Sequence, residues 1–267
     1  MILYKYMSPD VAQLVLERNS IAFSIASEFN DPFETVAGYP IRPSNPIEEK
    51  FDGIRSWAAR LAWTENSGVL SLTRTPTNPL MWAHYATEHR GLVLGFDADV
   101  AGFTDETTCL IPAQHGSIVY TQTRPTSPFS KAFSGAPISV GHTHSYPVGH
   151  HEKLSRLFLQ KPMCWSYEEE VRVVKCIADR NDEGINASGK FKLIEANGRR
   201  LYCYQLPDES VKEIYIGLRH QALISEEAFA NFRAQMGAKH PDAEIKACSL
   251  SNDSWGIEIV SPYQLRS

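Results

Sequence analysis

The segment Trp165-Ser166-Tyr167-Glu168-Glu169-Glu170-Val171-Arg172-Val173-Val174, running on to Ile177, carries a strong strand signal. Aromatic and β-branched residues dominate it, and side chains on a strand alternate between two faces. Alternation sets Glu168, Glu170 and Arg172 on one face, with neighbours about 6.5–7 Å apart. Trp165, Tyr167, Val171 and Val173 take the other face and anchor the strand in a core. Spacing alone favours a solvated strip held by Glu–Arg attraction, which contributes little energy. The competing reading is two carboxylates and a guanidinium pre-positioned for polar chemistry. One acid would stabilise an oxocarbenium-like centre while the other orients or deprotonates an acceptor.

Outward from this segment the chain alternates strands and helices. Ile2 to Met7 reads as a strand. Ser8-Pro9-Asp10 then starts a helix, with Ser as cap, Pro at the first position and Asp in the first turn. Val11, Leu14 and Val15 form its apolar stripe through to Asn19. Strands follow at Ile21–Ser24 and Val69–Thr73, with a helix expected over 47–63 between them. Asn78-Pro79 opens a helix through Ala86, and Gly91 caps it before a strand at Leu92–Phe96. A helix is expected over 152–160 and a strand pair over 190–206. The tail reads as a β-α-β-β unit over residues 211–261, with Ser225 capping its helix. The mixture predicts an α+β fold, residues 1–267 forming one compact domain around a central mixed β-sheet.

The 267 residues carry a net charge of −5, so no global basic field marks a nucleic-acid or membrane binder. No apolar run approaches the about 20 residues of a spanning helix, and Lys5 interrupts the opening MILYKYMSPD, unlike a signal peptide. A cytoplasmic protein with no membrane partner is expected. The five cysteines (Cys109, Cys164, Cys176, Cys203 and Cys248) contain no CxxC pair and read as buried small hydrophobes. The sequence lacks GxxxxGK[ST], GxGxxG, GxSxG and HExxH.

Three further stretches attract attention. The helix Leu80-Met81-Trp82-Ala83-His84-Tyr85 is apolar nearly all round and is expected to be buried, with His84 a core histidine and Met81 and Trp82 in the packing. Tyr85 is left open between packing and stacking on a flat ligand ring. The turn Glu28-Phe29-Asn30-Asp31-Pro32-Phe33-Glu34 reads as structural, its rings pinned inward. Residues 107–151 hold no carboxylate, and they carry five of the nine histidines. They read as a long loop or lid. His142, His144, His150 and His151 lack an evident fourth ligand, so no metal is expected. Metal-dependent hydrolysis through Asp31, Glu34 and these histidines is the third-ranked functional reading.

Taken in order, Tyr4-Lys5-Tyr6, Phe29-Asn30-Asp31-Pro32-Phe33-Glu34, Leu80 to Ala86, Lys161 with Trp165 to Arg172, and Ile214-Tyr215-Ile216-Gly217 resemble a widespread bacterial family catalogued as a domain of unknown function. A more distant likeness is to the ADP-ribosyltransferases. Their pattern is a first strand bearing His or Arg, a strand and loop with Ser or Tyr leading into a helix, and a later strand-borne Glu. Tyr4-Lys5-Tyr6 matches the first element, with Lys5 standing where that family has His or Arg. Ser71-Leu72-Thr73 with the helix to Tyr85 matches the second, and Glu168-x-Glu170 the third.

This likeness implies NAD as co-substrate and a nucleic acid or protein as acceptor. It implies Glu170 stabilising the ribosyl cation and Glu168 orienting the acceptor. Lys5 and Arg74 would hold the pyrophosphate, Ser71 would lie in the cofactor site, and Tyr4, Tyr6 or Tyr85 would stack on nicotinamide. The alternative class is a non-catalytic module that binds a ligand or partner, for instance in defence.

Overall fold

The computed structural model describes residues 1–29, 63–123, 154–177, 182–196 and 198–260. The Asn30–Glu34 part of the expected turn, all of the 47–63 helix except Trp63, and the four clustered histidines lie outside them, as do Asp31 and Glu34 of the metal reading.

Strand β1 (Ile2–Met7) leads into helix α1 (Pro9–Arg18). The Ser8 hydroxyl accepts from the Val11 N–H, and Asn19 closes the helix in the left-handed region at φ 45°. The buried stripe is Ala12, Val15 and Leu16, not the one the sequence predicted, since Val11 and Leu14 point to solvent. Strands β2 (Ser20–Ile25) and β3 (Ser67–Thr73), helix α2 (Pro79–Tyr85) and β4 (Leu92–Asp97) follow. Asn78 caps α2 through its side-chain oxygen, which accepts from Leu80 and Met81. Gly91 is not the cap of this helix: Ala86 is, followed by Thr87, Glu88 and His89 in left-handed conformations.

Next come β5 (Val119–Thr121), β6 (Gln160–Pro162), β7 (Glu170–Cys176), β8 (Glu183–Asn186), β9 (Gly189–Ala196), β10 (Arg199–Gln205) and β11 (Val211–Ile216). Helix α3 (Glu226–Lys239), capped by Ser225, crosses to β12 (Glu244–Leu250), which runs parallel to β11, and β13 (Ile257–Val260) ends the described chain. The fold is α+β around a mixed sheet ordered β13-β12-β11-β4-β1-β3-β2-β10-β9-β8, with β7 on β3; β5 and β6 form a separate parallel pair. Among the described residues no helix is long and apolar enough to cross a membrane.

One face of the sheet, with Leu3, Met7, Phe23, Leu70, Leu94 and Val173, packs with α1 and Met236 of α3 in the largest core cluster. Tyr6, Val93 and Tyr215 join Met81 and Trp82 of α2 in a second cluster. Val69 and Val174 join Leu157 and Phe158 in a third.

The feature that positions the site is a split in the sheet. β7 pairs with β3 from Ser67 to Thr73. The other edge of β3 is shared: β1 meets it at Thr73, and β2 meets it at Gly68 and Val69. Between those contacts the edge of β3 around Ser71 has no strand partner among the described residues. A buried carbonyl without a donor is costly. Here the Lys5 ammonium supplies the donor, at 2.7 Å from the Ser71 oxygen.

The strand expected from Trp165 begins only at Glu170. Met163–Glu168 form a 3-10 helix, ended by Glu169 in the left-handed region at φ 44°. Its N–H bonds the Ser166 carbonyl, and Asn78 donates to the Tyr167 carbonyl at 2.7 Å. Trp165 and Tyr167 are therefore half-buried against each other instead of in the core.

Gly116 lies against β7, where its carbonyl accepts from the Arg172 N–H, and a Cβ there would collide with the Arg172 carbonyl. Backbone cannot move aside as a side chain can. Gly116→Ala is expected to lose about 2–3 kcal/mol, read as a lower urea midpoint at unchanged slope.

Candidate functional site

A short ladder of ion pairs lies beside the split. Lys161 of β6 donates to Glu168 at 2.6 Å and to Glu170 at 3.0 Å. Arg172 donates through Nε to Glu170 at 2.8 Å and through a terminal nitrogen to the Phe158 carbonyl at 2.8 Å. The Tyr85 hydroxyl donates to the remaining Glu168 oxygen at 2.6 Å. Exposure is 3% at Glu168, 4% at Glu170, 1% at Arg172 and 8% at Lys161. The solvated strip that spacing favoured is thus excluded. Glu168 reaches the ladder from the end of the 3-10 helix, not from the strand face shared by Glu170 and Arg172.

Burial alone would push the Glu170 carboxyl up. The charges of Arg172 and Lys161, with hydrogen bonds from Arg172 and Ser71, outweigh it and hold the group down to about 2. Lys5 is pulled the other way. Desolvation lowers it to about 8, against the attraction of Glu170. Burial raises the Tyr85 hydroxyl, and its bond to Glu168 raises it further.

Apart from Arg172, which lies behind Glu170, these groups line one cavity of about 290 Å³ at the split, near the lower end of ordinary ligand pockets. β1 contributes Tyr4, Lys5 and Tyr6, and β3 contributes Ser71. Tyr85, Glu168 and Glu170 complete the set that the sequence pointed to, now brought together. Tyr6 is fixed, its hydroxyl donating to the Thr75 carbonyl and accepting from the Asn78 N–H while its ring packs edge-on to Trp82. Tyr85 is 41% exposed and stands at the mouth.

Arg74 does not line the cavity. Its guanidinium bonds the Ser117 hydroxyl at 2.7 Å and reaches the Glu169 carbonyl. The cavity guanidinium is Arg199 of β10, which sequence reasoning missed. Lys161 was also missed as a site residue, although a lysine two positions after Leu157-Phe158-Leu159 and before the acidic motif was a usable signal. Phe29 lies over the Arg172 guanidinium at 5.3 Å and lines the cavity as well.

Helix α2 differs from expectation. Met81 and Trp82 are buried, but Leu80, Ala83, His84 and Tyr85 face solvent, so His84 is no core residue. With only 7 residues, the helix offers one turn to the sheet and leaves the rest outside. Cys109 and Cys248 are buried as expected; Cys164 is exposed, and Cys176 and Cys203 are half-buried. Among the described residues no group of three His, Cys, Asp or Glu side chains is placed to hold a metal.

The depressed Glu170 carboxyl links stability to pH. A carboxyl lowered in the folded state contributes fully above its ordinary value of 4.5, and the contribution drains as pH falls toward about 2. Glu170→Gln leaves Arg172 buried with a neutral partner and is expected to cost about 3–5 kcal/mol near neutral pH. It should also flatten the acid limb of a urea-midpoint profile. An unchanged acid limb would show that Glu170 does not carry it.

Residues 81–173 match the model of a family described as Protein of unknown function (DUF2971). The match is narrower than the run of motifs and leaves Tyr4-Lys5-Tyr6 and Ile214 to Gly217 outside. No curated protein matches the chain, and no solved structure does. The matched stretch holds Tyr85, the Lys161–Glu168–Glu170 ion pairs and Arg172, so it is over these residues that the chain is similar to the family of unknown function.

Proposed function

We infer that the cavity takes the nicotinamide end of NAD⁺ and transfers ADP-ribose to an acceptor. The observation that carries this reading is the convergence, at the split of the sheet, of Lys5 from β1, Ser71 from β3, Tyr85 from α2 and the carboxylates of Glu168 and Glu170. Those are the three elements, in chain order, of the likeness to ADP-ribosyltransferases.

The chemistry follows from charge. The bond from ribose C1′ to the nicotinamide nitrogen breaks, nicotinamide leaves with the electron pair, and the sugar becomes cationic. Glu170, held ionised by Arg172 and Lys161, faces that charge and accepts from a ribose hydroxyl. The acceptor oxygen or nitrogen bonds C1′ and passes its proton to Glu168, displacing the Tyr85 hydroxyl from that carboxylate. Lys5 and Arg199 attract the pyrophosphate, Arg199 taking the part that the sequence assigned to Arg74. Tyr4, Tyr6 and Tyr85 offer rings to nicotinamide.

One observation favours the other class, a module that binds without turnover. All four oxygens of Glu168 and Glu170 already have donors, as in a pocket built for recognition alone. Incubation with NAD⁺ separates the two. An enzyme releases nicotinamide and adds ADP-ribose mass to DNA, RNA or protein, whereas a binder gains only thermal stability from the ligand. Glu170→Gln is expected to slow nicotinamide release about 10²–10³-fold. Glu168→Gln should spare release and lose transfer to the acceptor. Undiminished turnover in Glu170→Gln, with the variant folded by circular dichroism, removes the transfer reading.

A further inference from the structure

A second concavity, of about 520 Å³, lies over the outer face of β2, β10, β9 and β8. The opposite face of these strands is packed, with Ile21, Phe23, Phe191, Tyr202 and Tyr204 buried in the main core. On the outer face, strand pairing aligns Ser24 with Leu201 and Ile194, and Ala22 with Cys203 and Lys192. Ser20, Ala22 and Ser24 of β2 share this face, as do Arg199, Leu201, Cys203 and Gln205 of β10. Ser20, Cys203 and Gln205 line the second concavity, while Ser24 and Arg199 line the first. The two concavities therefore lie along one face of the same strands, with Ala22 and Leu201 between them, and together define a trough. From Ser20 to Ser24 it runs about 13 Å, the span of about four stacked nucleotides.

Its charge is opposite to that of the whole chain. Arg18, Lys190 and Lys192 line the far end, Glu183 is the one carboxylate among the described lining residues, and none of the three cations is ion-paired to another described residue. All three are exposed. Arg199 and Lys5 stand at the other end. β2, β10 and β9 are paired on both sides, so along the trough an acidic peptide finds no open strand edge except that of β8 at its far rim. Phosphates need only cations, and the trough ends at tyrosine rings that can stack on a base.

We propose that this trough binds the sugar–phosphate backbone of a single-stranded nucleic acid, the acceptor whose nucleotide is delivered to Glu168. The proposal rests on the transfer reading of the adjoining cavity for the acceptor's role.

The test is fluorescence anisotropy of the full chain with a dye-labelled thymidylate oligomer, without NAD⁺. Binding is expected to weaken steeply between about 50 and about 200 mM salt. The variant Arg18→Gln/Lys190→Gln/Lys192→Gln should bind at least about tenfold more weakly at low salt and lower the log–log salt slope by about 2. Nicotinamide release without acceptor should be unchanged in it. Equal oligomer binding by the variant overturns the proposal. So does poly-glutamate binding as tightly as the oligomer with the same dependence on the three cations, which would make the trough a site for acidic protein segments. Oligomer binding without NAD⁺ turnover removes the transfer reading and leaves the trough. Turnover without oligomer binding does the reverse.

Discussion

Lys161 meets two carboxylates where each of the three side chains is almost wholly buried, and much of the site's architecture follows from that meeting. A buried carboxylate or ammonium is unfavourable by several kcal/mol unless it is paired and its remaining bonding capacity is filled. Glu168 and Glu170 need Lys161, Glu170 needs Arg172, and Arg172 in turn uses the Phe158 carbonyl. The four charges are a set from which none can be removed alone. They also fix β6 against β7 without a shared strand ladder. Tyr120 of the neighbouring β5 adds to this, its hydroxyl accepting the Glu170 N–H at 2.8 Å.

The second constraint is topological. A strand has two edges, and β3 gives one entirely to β7 while dividing the other between β1 and β2. The opening left between those partners must be lined by groups that satisfy its backbone, and Lys5 does this for Ser71. The same ammonium is then desolvated and close enough to Glu170 to feel its charge. A gap in hydrogen bonding thus becomes a polar hollow flanked by tyrosines. The sheet's outer face continues from this hollow along β2 and β10 to the lysines of β9. The cavity at the split and the cationic concavity share this face, which is what links the proposed chemistry to the proposed acceptor.

Much of the local structure was legible. Ser8-Pro9 and Asn78-Pro79 mark helix starts by the same physics in both places: a side-chain oxygen for an orphan N–H, and a proline where no N–H is needed. Ser225 does the same for α3. The Val-rich run after Glu170 was readable as a strand, and the pairing of Glu170 with Arg172 followed from alternation. Alternation failed at Glu168, because left-handed Glu169 ends the extended run and nothing in the residue type demanded that conformation. It also failed to say that the Glu170 face is covered, since the cover comes from Lys161 and Phe158, which lie on other elements.

By itself, then, the sequence determined the caps, the periods, the mixed character of the sheet and which side chains carry charge or rings, because these depend on neighbours within a few positions. Only the tertiary structure decided that β3 shares an edge between two strands, that Arg199 and not Arg74 reaches the hollow, and that α2 shows His84 and Tyr85 to solvent. Those outcomes depend on which distant surfaces meet, and the free energy of a charge or ring is set by what surrounds it after they have met.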